Sequence, residues 1–188
     1  AALLFLAVRL HCLRQSALLE QLCVSPKTMS SLPTLSDIET AARLIYEEFP
    51  ATPQYHWPLL SERLGAACWV KHENHTPVGA FKIRGGLTYF DQLAQRGELP
   101  REVISATRGN HGQSMGWAAR KNGVACTIVV PQGNSLEKNA AMRALGVTLV
   151  ECGSDFQEAR EYAMQLAGER GAHMVPSFHF DLLRGVST

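Results

Sequence analysis

The 188-residue sequence has little that would indicate a membrane-bound or nucleic-acid-binding protein. Its 18 Lys and Arg residues nearly balance its 17 Asp and Glu residues, giving a net charge of +1. No basic field is therefore available to attract nucleic acid or an anionic membrane surface. The apolar run at residues 1–8 is too short to span a bilayer. With 46% hydrophobic and 19% charged residues, the composition is typical of a globular protein.

The sequence also lacks the residue spacing of a disulfide framework or a metal site. Its five cysteines are odd in number and include no Cys-x-x-Cys pair. This pattern favours a reducing compartment, for which we predict the cytoplasm. His72 and His75 are three residues apart on a predicted strand and turn, unlike the zinc-binding helix motif, so we expect no metal. Walker, Gly-x-Gly-x-x-Gly and Gly-x-Ser-x-Gly motifs are absent as well.

Short apolar strands alternate with helices from Cys68 onward. The hydrophobic pattern predicts strands at about 68–73, 103–107, 125–131, 147–152 and 173–177. It predicts helices at about 79–96, 110–122, 135–145 and 154–170, preceded by helices at 36–49 and 59–64 with a loop at 51–55 between them. Strands such as Thr127-Ile128-Val129-Val130 are apolar on both faces, which indicates a mostly parallel sheet covered by helices on both sides. The predicted fold class is α/β.

Lys82 lies between Phe81 and Ile83, after a predicted strand and a turn at 74–77. We place it one turn into the predicted helix. Apolar neighbours would desolvate the amine and lower its pKa, and a neutral amine can form a Schiff base with an aldehyde cofactor. The alternative is an ordinary solvated lysine on a helix surface.

A second polar stretch, from Thr107 to Gln113, also connects a predicted strand to a predicted helix. Backbone N–H groups at the start of a helix lack partners, and the helix dipole adds positive potential there. The stretch therefore has the properties of an anion-binding loop, in which Gly109 would let the backbone approach a ligand closely. Considered alone, Asn110 is better explained as an N-cap, and His111 as a surface or core histidine.

Together, Ala80-Phe81-Lys82-Ile83-Arg84-Gly85 and the loop from Thr107 to Gln113 resemble the lysine and asparagine motifs of fold type II pyridoxal-phosphate enzymes. The resemblance is to the serine/threonine dehydratase and serine racemase family, and it extends from about residue 36 to residue 188. It implies a tryptophan synthase β-like, three-layer sandwich with mostly parallel sheets. It also implies pyridoxal 5′-phosphate as cofactor, an amino-acid substrate and a homo-oligomer at full length. Ala80 departs from the serine that is frequent in the family.

The resemblance implies roles for individual residues. Lys82 would carry the cofactor and remove the α-proton of the substrate, with Phe81 beside the cofactor or in the core. Asn110 would hydrogen-bond the ring hydroxyl oxygen of the cofactor. The residues expected around the substrate carboxylate are Thr107, Arg108, Gly109 and His111.

Other residues near these motifs are expected to serve the scaffold. Glu73 and Arg84 are predicted to be structural. Gly85 and Gly86 are too short a run for the family's glycine-rich phosphate-binding loop. That loop and the family's cation site are expected to lie after Thr188.

Arg108 departs from the family pattern, in which serine or alanine is usual at this position. Racemases of the family use a serine there as the second acid–base group, whereas an arginine does not deprotonate in proteins. Arg108 therefore argues against racemase activity, and we expect it to add an anion contact for the substrate. The alternative is that its side chain points to solvent.

The reaction that the resemblance implies is β-elimination from a hydroxy amino acid, threonine or serine, to give a 2-oxo acid and ammonia. One alternative is β-replacement, as in cysteine synthase relatives. Those relatives usually carry Thr-Ser-Gly-Asn-Thr at the loop, and His111 argues against this alternative. Another alternative is an inactive fragment that only binds the cofactor, because the phosphate loop is expected outside these residues.

The resemblance also divides the chain into four parts. Residues 1–28 are expected to be an upstream segment outside the domain, with an organellar transit peptide as the alternative. Residues 29–100 would be the first part of the large domain, 101–180 the small domain with the asparagine loop, and 181–188 the start of the return to the large domain. The chain would thus be the N-terminal half of an enzyme, so we expect exposed apolar surface and low stability.

Overall fold

The computed structural model describes residues 32–188, so the segment predicted at 1–28 lies outside the described residues. Two sheets occupy different parts of this chain. Strands β1 (Gln54–His56) and β2 (Trp69–Lys71) pair antiparallel. A four-stranded parallel sheet has the order β5-β4-β3-β6. Its strands are β3 (Glu102–Ala106), β4 (Ala125–Val130), β5 (Thr148–Glu151) and β6 (His173–Met174). The first sheet lies within the predicted large-domain part and the second within the predicted small domain; the boundary near residue 100 stays a prediction.

Helices connect and cover these strands. They are α1 (Leu35–Glu48), α2 (Pro58–Leu64), α3 (Lys82–Gln95), α4 (Asn110–Lys121), α5 (Leu136–Ala144), α6 (Phe156–Arg170) and α7 (Phe180–Val186). Within residues 32–188, no helix is both long enough and apolar enough to cross a membrane.

The parallel sheet is apolar on both faces because successive side chains of a strand point in opposite directions. Val103 packs in one buried cluster with Phe90 of α3 and Met115 of α4. The next residue, Ile104, packs in a second cluster with Ala163 and the other small residues that α6 turns toward the sheet. Helices therefore cover both faces, which confirms the predicted three-layer α/β architecture.

Helix α3 is packed closely against both α4 and α7 through glycines. A Cβ on Gly86 would lie 2.3 Å from the Oγ of Ser114 in α4. A Cβ on Gly185 in α7 would lie 2.2 Å from the carbonyl oxygen of Arg84, and one on Gly85 would lie 2.8 Å from the carbonyl oxygen of Leu182. Only glycine permits these backbone approaches. The Gly85-Gly86 pair thus serves helix packing.

Several predicted boundaries are wrong. The predicted loop at 51–55 contains the start of β1, whose three residues are all exposed and so have no alternating pattern to detect. The strand predicted at 68–73 is shorter, because a 3-10 turn (Glu73–His75) follows β2. Helix α7 was not predicted, since it has only seven residues. The last strand of the sheet pairs only at His173–Met174 rather than over 173–177.

Large apolar side chains are exposed on and around the two-stranded sheet, as expected from the sequence. They are Tyr55, Trp57, Leu59, Leu60, Leu64 and Trp69. Three cysteines fall within the predicted strands at 68–73, 125–131 and 147–152. Cys126 is in β4 and buried, whereas Cys68 and Cys152 flank strands and are partly exposed. The expected low stability stays a prediction.

Candidate functional site

The turn before Lys82 is fixed by the side chain of Thr76. Its hydroxyl donates to the carbonyl oxygen of Ala80 at 2.9 Å and accepts from the N–H of Ala80, also at 2.9 Å. Gly79 adopts a φ of 66°, which favours glycine. This turn delays the helix, so that α3 begins at Lys82 itself and the prediction of one preceding helical turn is wrong.

The Lys82 side chain is half-buried beside Phe81. Its Nζ lies 5.2 Å from the centroid of the Phe81 ring. That ring is 41% exposed, so the alternative that Phe81 belongs to the core is wrong. Lys82 forms no ion pair within the described part of the chain, which leaves its amine free for chemistry.

The loop from Thr107 to Gln113 follows the carboxyl end of β3 and leads into α4. The N-cap position is Gly109, and no side chain caps the helix. The alternative that Asn110 is an N-cap is therefore wrong: Asn110 is the first helical residue, and its side chain is exposed. The uncapped N–H groups remain available to an anion.

Thr107 is buried and orders this loop. Its Oγ1 accepts a hydrogen bond from the N–H of Gly109 at 3.1 Å. Because the oxygen is engaged as an acceptor, the hydroxyl hydrogen remains available to donate to a ligand. Arg108, in contrast, is exposed and has no hydrogen bond or ion pair among residues 32–188.

His111 is only 7% exposed, so the alternative of a surface histidine is wrong. Burial, with a further contribution from the positive charge of Lys82, lowers the pKa of His111 to about 4. The ring is therefore neutral at physiological pH. Its Nε2 is buried without a hydrogen-bond partner in the described structure. Such an atom is costly unless a bound group completes its hydrogen bonding.

Ser114 connects the two motifs. Its Oγ donates to the carbonyl oxygen of Lys82 at 2.6 Å, and it is completely buried. The close approach at Gly86 makes this bond possible. Ser114 was not predicted from the sequence. The feature that could have indicated it is a small polar residue on the buried face of α4, one turn after Asn110.

Arg84, a fully buried residue of α3, forms an ion pair with the partly buried Glu73. Arg84 Nε donates to Glu73 Oε2 at 2.7 Å, and its Nη2 donates to Oε1 at 3.0 Å. Thr52 Oγ1 donates to the same Oε1 at 2.6 Å. Burial acts to raise the pKa of Glu73, but the hydrogen bonds from Arg84 and Thr52 outweigh it and hold the pKa below its usual value. These contacts agree with the structural role expected for both residues.

A sequence model of pyridoxal-phosphate dependent enzymes matches residues 45–188. The chain belongs to this family. Its fold is therefore that of the fold type II pyridoxal-phosphate enzymes, as the two motifs predicted. The match includes the turn before Lys82, the asparagine loop and the whole parallel sheet.

Two curated relatives and one solved structure show the range of the family. The chain is 35% identical over 145 residues to threonine dehydratase 1 of Solanum lycopersicum, covering 77% of this chain and 24% of the relative. It is 32% identical over 158 residues to L-threo-3-hydroxyaspartate ammonia-lyase of Saccharomyces cerevisiae, covering 84% and 48%. The processed form of threonine deaminase isoform 2 from Solanum lycopersicum superimposes with a TM-score of 0.69 at 31% identity, covering 80% and 41%. The chain thus spans less than half the length of these proteins.

The residues present fit pyridoxal phosphate. An unpaired lysine amine suits an aldehyde, the uncapped start of α4 suits an anion, and the unpartnered Nε2 of His111 lies where a ligand would supply a hydrogen bond. The charge of Lys82 contributes to the lowered pKa of His111, and Ser114 bonds the Lys82 backbone to α4, the helix that carries His111. Within residues 32–188, no cluster of side chains is suited to a metal ion.

Proposed function

We propose that the protein carrying this chain is a pyridoxal-phosphate-dependent ammonia-lyase. It would eliminate water from a hydroxy amino acid, threonine or serine, and the resulting enamine would be hydrolysed to a 2-oxo acid and ammonia. The supporting observation is the hydrogen bond between Ser114 Oγ and the Lys82 carbonyl, which holds the reactive lysine beside an anion-binding loop. The names of the relatives from Solanum lycopersicum support the same reaction.

Lys82 has two tasks in this proposal. Its amine would hold the cofactor and, once the substrate has taken its place, would accept the α-proton at Nζ. Bound pyridoxal phosphate supplies an aldehyde for attachment and a ring that accepts the electron pair left at the α-carbon. The ring of Phe81 shields one side of the amine, and the turn fixed by Thr76 orders the backbone that leads into Lys82.

The loop holds the substrate while the proton moves. The N–H groups at the start of α4 and the free hydroxyl hydrogen of Thr107 would bind the α-carboxylate. Neutral His111 would donate or accept a hydrogen bond without adding charge, because its pKa is about 4. Asn110 would hydrogen-bond the ring hydroxyl oxygen of the cofactor. Loss of the β-hydroxyl as water then leaves an enamine, which gives the 2-oxo acid and ammonia on hydrolysis.

We also propose a cytoplasmic location and a homo-oligomeric assembly. The free thiols of Cys68, Cys126 and Cys152 support a reducing compartment. The exposed apolar side chains around the two-stranded sheet support burial against further polypeptide.

The test is turnover of L-threonine and L-serine by the cofactor-loaded protein, followed by 2-oxo acid and ammonia release. Lys82→Ala should lower kcat by at least about 10³-fold, because proton transfer and covalent attachment are both lost. Lys121→Ala, on the exposed end of α4, is the matched control and should keep activity. Formation of a substituted amino acid from serine and a thiol, without 2-oxo acid, would contradict the proposal.

A further inference from the structure

Arg108 lies in the anion-binding loop and Lys138 packs against that loop at Gly109, and the proposed reaction on threonine or serine uses neither. We propose that they form a second anion subsite, which selects hydroxy amino acids carrying a side-chain carboxylate. This inference rests on the proposed function and names the substrate class of the same site.

The side chain of Lys138 lies across the backbone of the loop. A Cβ on Gly109 would come within 2.4 Å of Lys138 Cδ and within 3.3 Å of its Cγ and Cε. The aliphatic part of Lys138 therefore covers the position that glycine leaves open. The ammonium group has no ion pair or hydrogen bond in the described part of the chain.

The sheet brings the two cations to one edge. Strands β3 and β4 are neighbours and run parallel, so the segments that follow them emerge at the same edge. Arg108 follows β3, and Lys138 is in the first turn of α5, which follows β4. A helix dipole disfavours a cation in the first turn, so Lys138 gains nothing there from its own helix. Glu137, its neighbour, is exposed and also forms no ion pair within residues 32–188.

The interior of the loop is suited to the first carboxylate. His111 is only 7% exposed and lies in the first turn of α4, whose start is uncapped. Its Nε2 has no hydrogen-bond partner within residues 32–188. This atom is an indication of a ligand that is independent of the two surface cations. With the α-carboxylate bound by the loop, Lys138 remains in contact with that same loop at Gly109. In the proposal, a second carboxylate one or two carbons away pairs with Lys138 and Arg108.

Charge accounts for the selectivity. A substrate such as threonine leaves Arg108 and Lys138 unpaired, whereas a dicarboxylic hydroxy amino acid gives each cation an anionic partner. Hydrogen bonds between ionised groups are stronger than neutral ones. We expect each cation to contribute roughly tenfold, and the pair roughly 100-fold, to the preference for the dicarboxylic substrate.

The experiment compares 3-hydroxyaspartate with L-threonine in the cofactor-loaded protein. Binding is measured by titration calorimetry and turnover by kcat/KM. The unaltered protein should prefer 3-hydroxyaspartate roughly 100-fold in both measurements. Arg108→Ala and Lys138→Ala should each remove roughly tenfold of this preference, the double variant should remove nearly all of it, and binding of L-threonine should change less than about twofold.

The matched control is Arg101→Ala. Arg101 is exposed, has no side-chain partner in the described chain and precedes the same strand at its opposite end, so the preference should remain. Equal binding of the two amino acids, or a preference that survives in the double variant, overturns the inference. Borohydride trapping of the cofactor on Lys82 tests the proposed function separately. Trapping without a dicarboxylate preference would reject the subsite and leave the proposed function standing.

Discussion

Removal of the charge of Glu73 should destabilise the chain more than removal of a similarly buried carboxylate, Glu48, whose cationic partner is exposed. The substitution is Glu73→Gln, which preserves the size of the side chain. It leaves Arg84, which is only 1% exposed, without a counter-ion. The guanidinium would retain Thr188 Oγ1 at 3.1 Å and Thr52 Oγ1 at 3.3 Å as acceptors, together with the ring of Phe49 at 5.4 Å.

The expected loss follows from this geometry. Breaking a buried ion pair by removing one partner costs about 3–5 kcal/mol, since the other charge stays buried. Glu73 is 20% exposed, so water can reach the site and the lower end of that range applies, about 3 kcal/mol. The amide of glutamine still accepts one hydrogen bond, which limits the loss further.

The assay is urea unfolding of both variants at pH 7, with the free energy of unfolding taken from the midpoint and slope. The matched control is Glu48→Gln, whose cation Lys121 is 44% exposed. That substitution should cost less than about 1 kcal/mol, because Lys121 stays hydrated without its partner and the glutamine oxygen can still accept from Trp117 Nε1. Equal losses in the two variants would refute the reasoning that burial of Arg84 makes Glu73 important.

Three further predictions concern packing, pH and stereochemistry. Gly185→Ala would place a methyl group 2.2 Å from the Arg84 carbonyl oxygen and should cost about 2 kcal/mol in thermal melts, whereas Gly168→Ala, with nothing within 4 Å, should stabilise α6 by about 0.5–1 kcal/mol. Because the folded chain holds the pKa of His111 at about 4 against 6.5, stability should fall as the pH decreases from 6.5 toward 4, and His111→Gln should reduce that slope in urea unfolding. Since Arg108 cannot accept a proton, L-serine should be deaminated without D-serine appearing on chiral chromatography; D-serine would contradict this.

The sequence predicted the parallel sheet well because its strands carry a strong, local signal. β4 is apolar on both faces, and the helices that follow each strand end at glycines such as Gly146 and Gly171, both with positive φ. β1 was missed because its three residues are all exposed and show no alternating pattern, and it is a strand only through its pairing with β2. Close helix packing at Gly185 also depends on a distant partner, so no local pattern could reveal it.

The site could be predicted only in part, for a related reason. The motifs indicated Lys82 and His111, and the structure links their two helices through the hydrogen bond of Ser114 to the Lys82 carbonyl. The bonds that position them come from Thr76 and Ser114, whose importance lies in partners four and 32 residues away. Lys138 was also missed, because its contact with Gly109 depends on the neighbouring order of β3 and β4.

The central claim is that Lys82 carries the cofactor beside the anion-binding loop. The most direct measurement is borohydride reduction of the protein with pyridoxal phosphate, followed by peptide mass mapping. The account predicts a reduced pyridoxyl group on Lys82, and no label after Lys82→Ala. Labelling of another lysine, such as Lys71 or Lys138, or equal labelling of the Lys82→Ala variant, would contradict it.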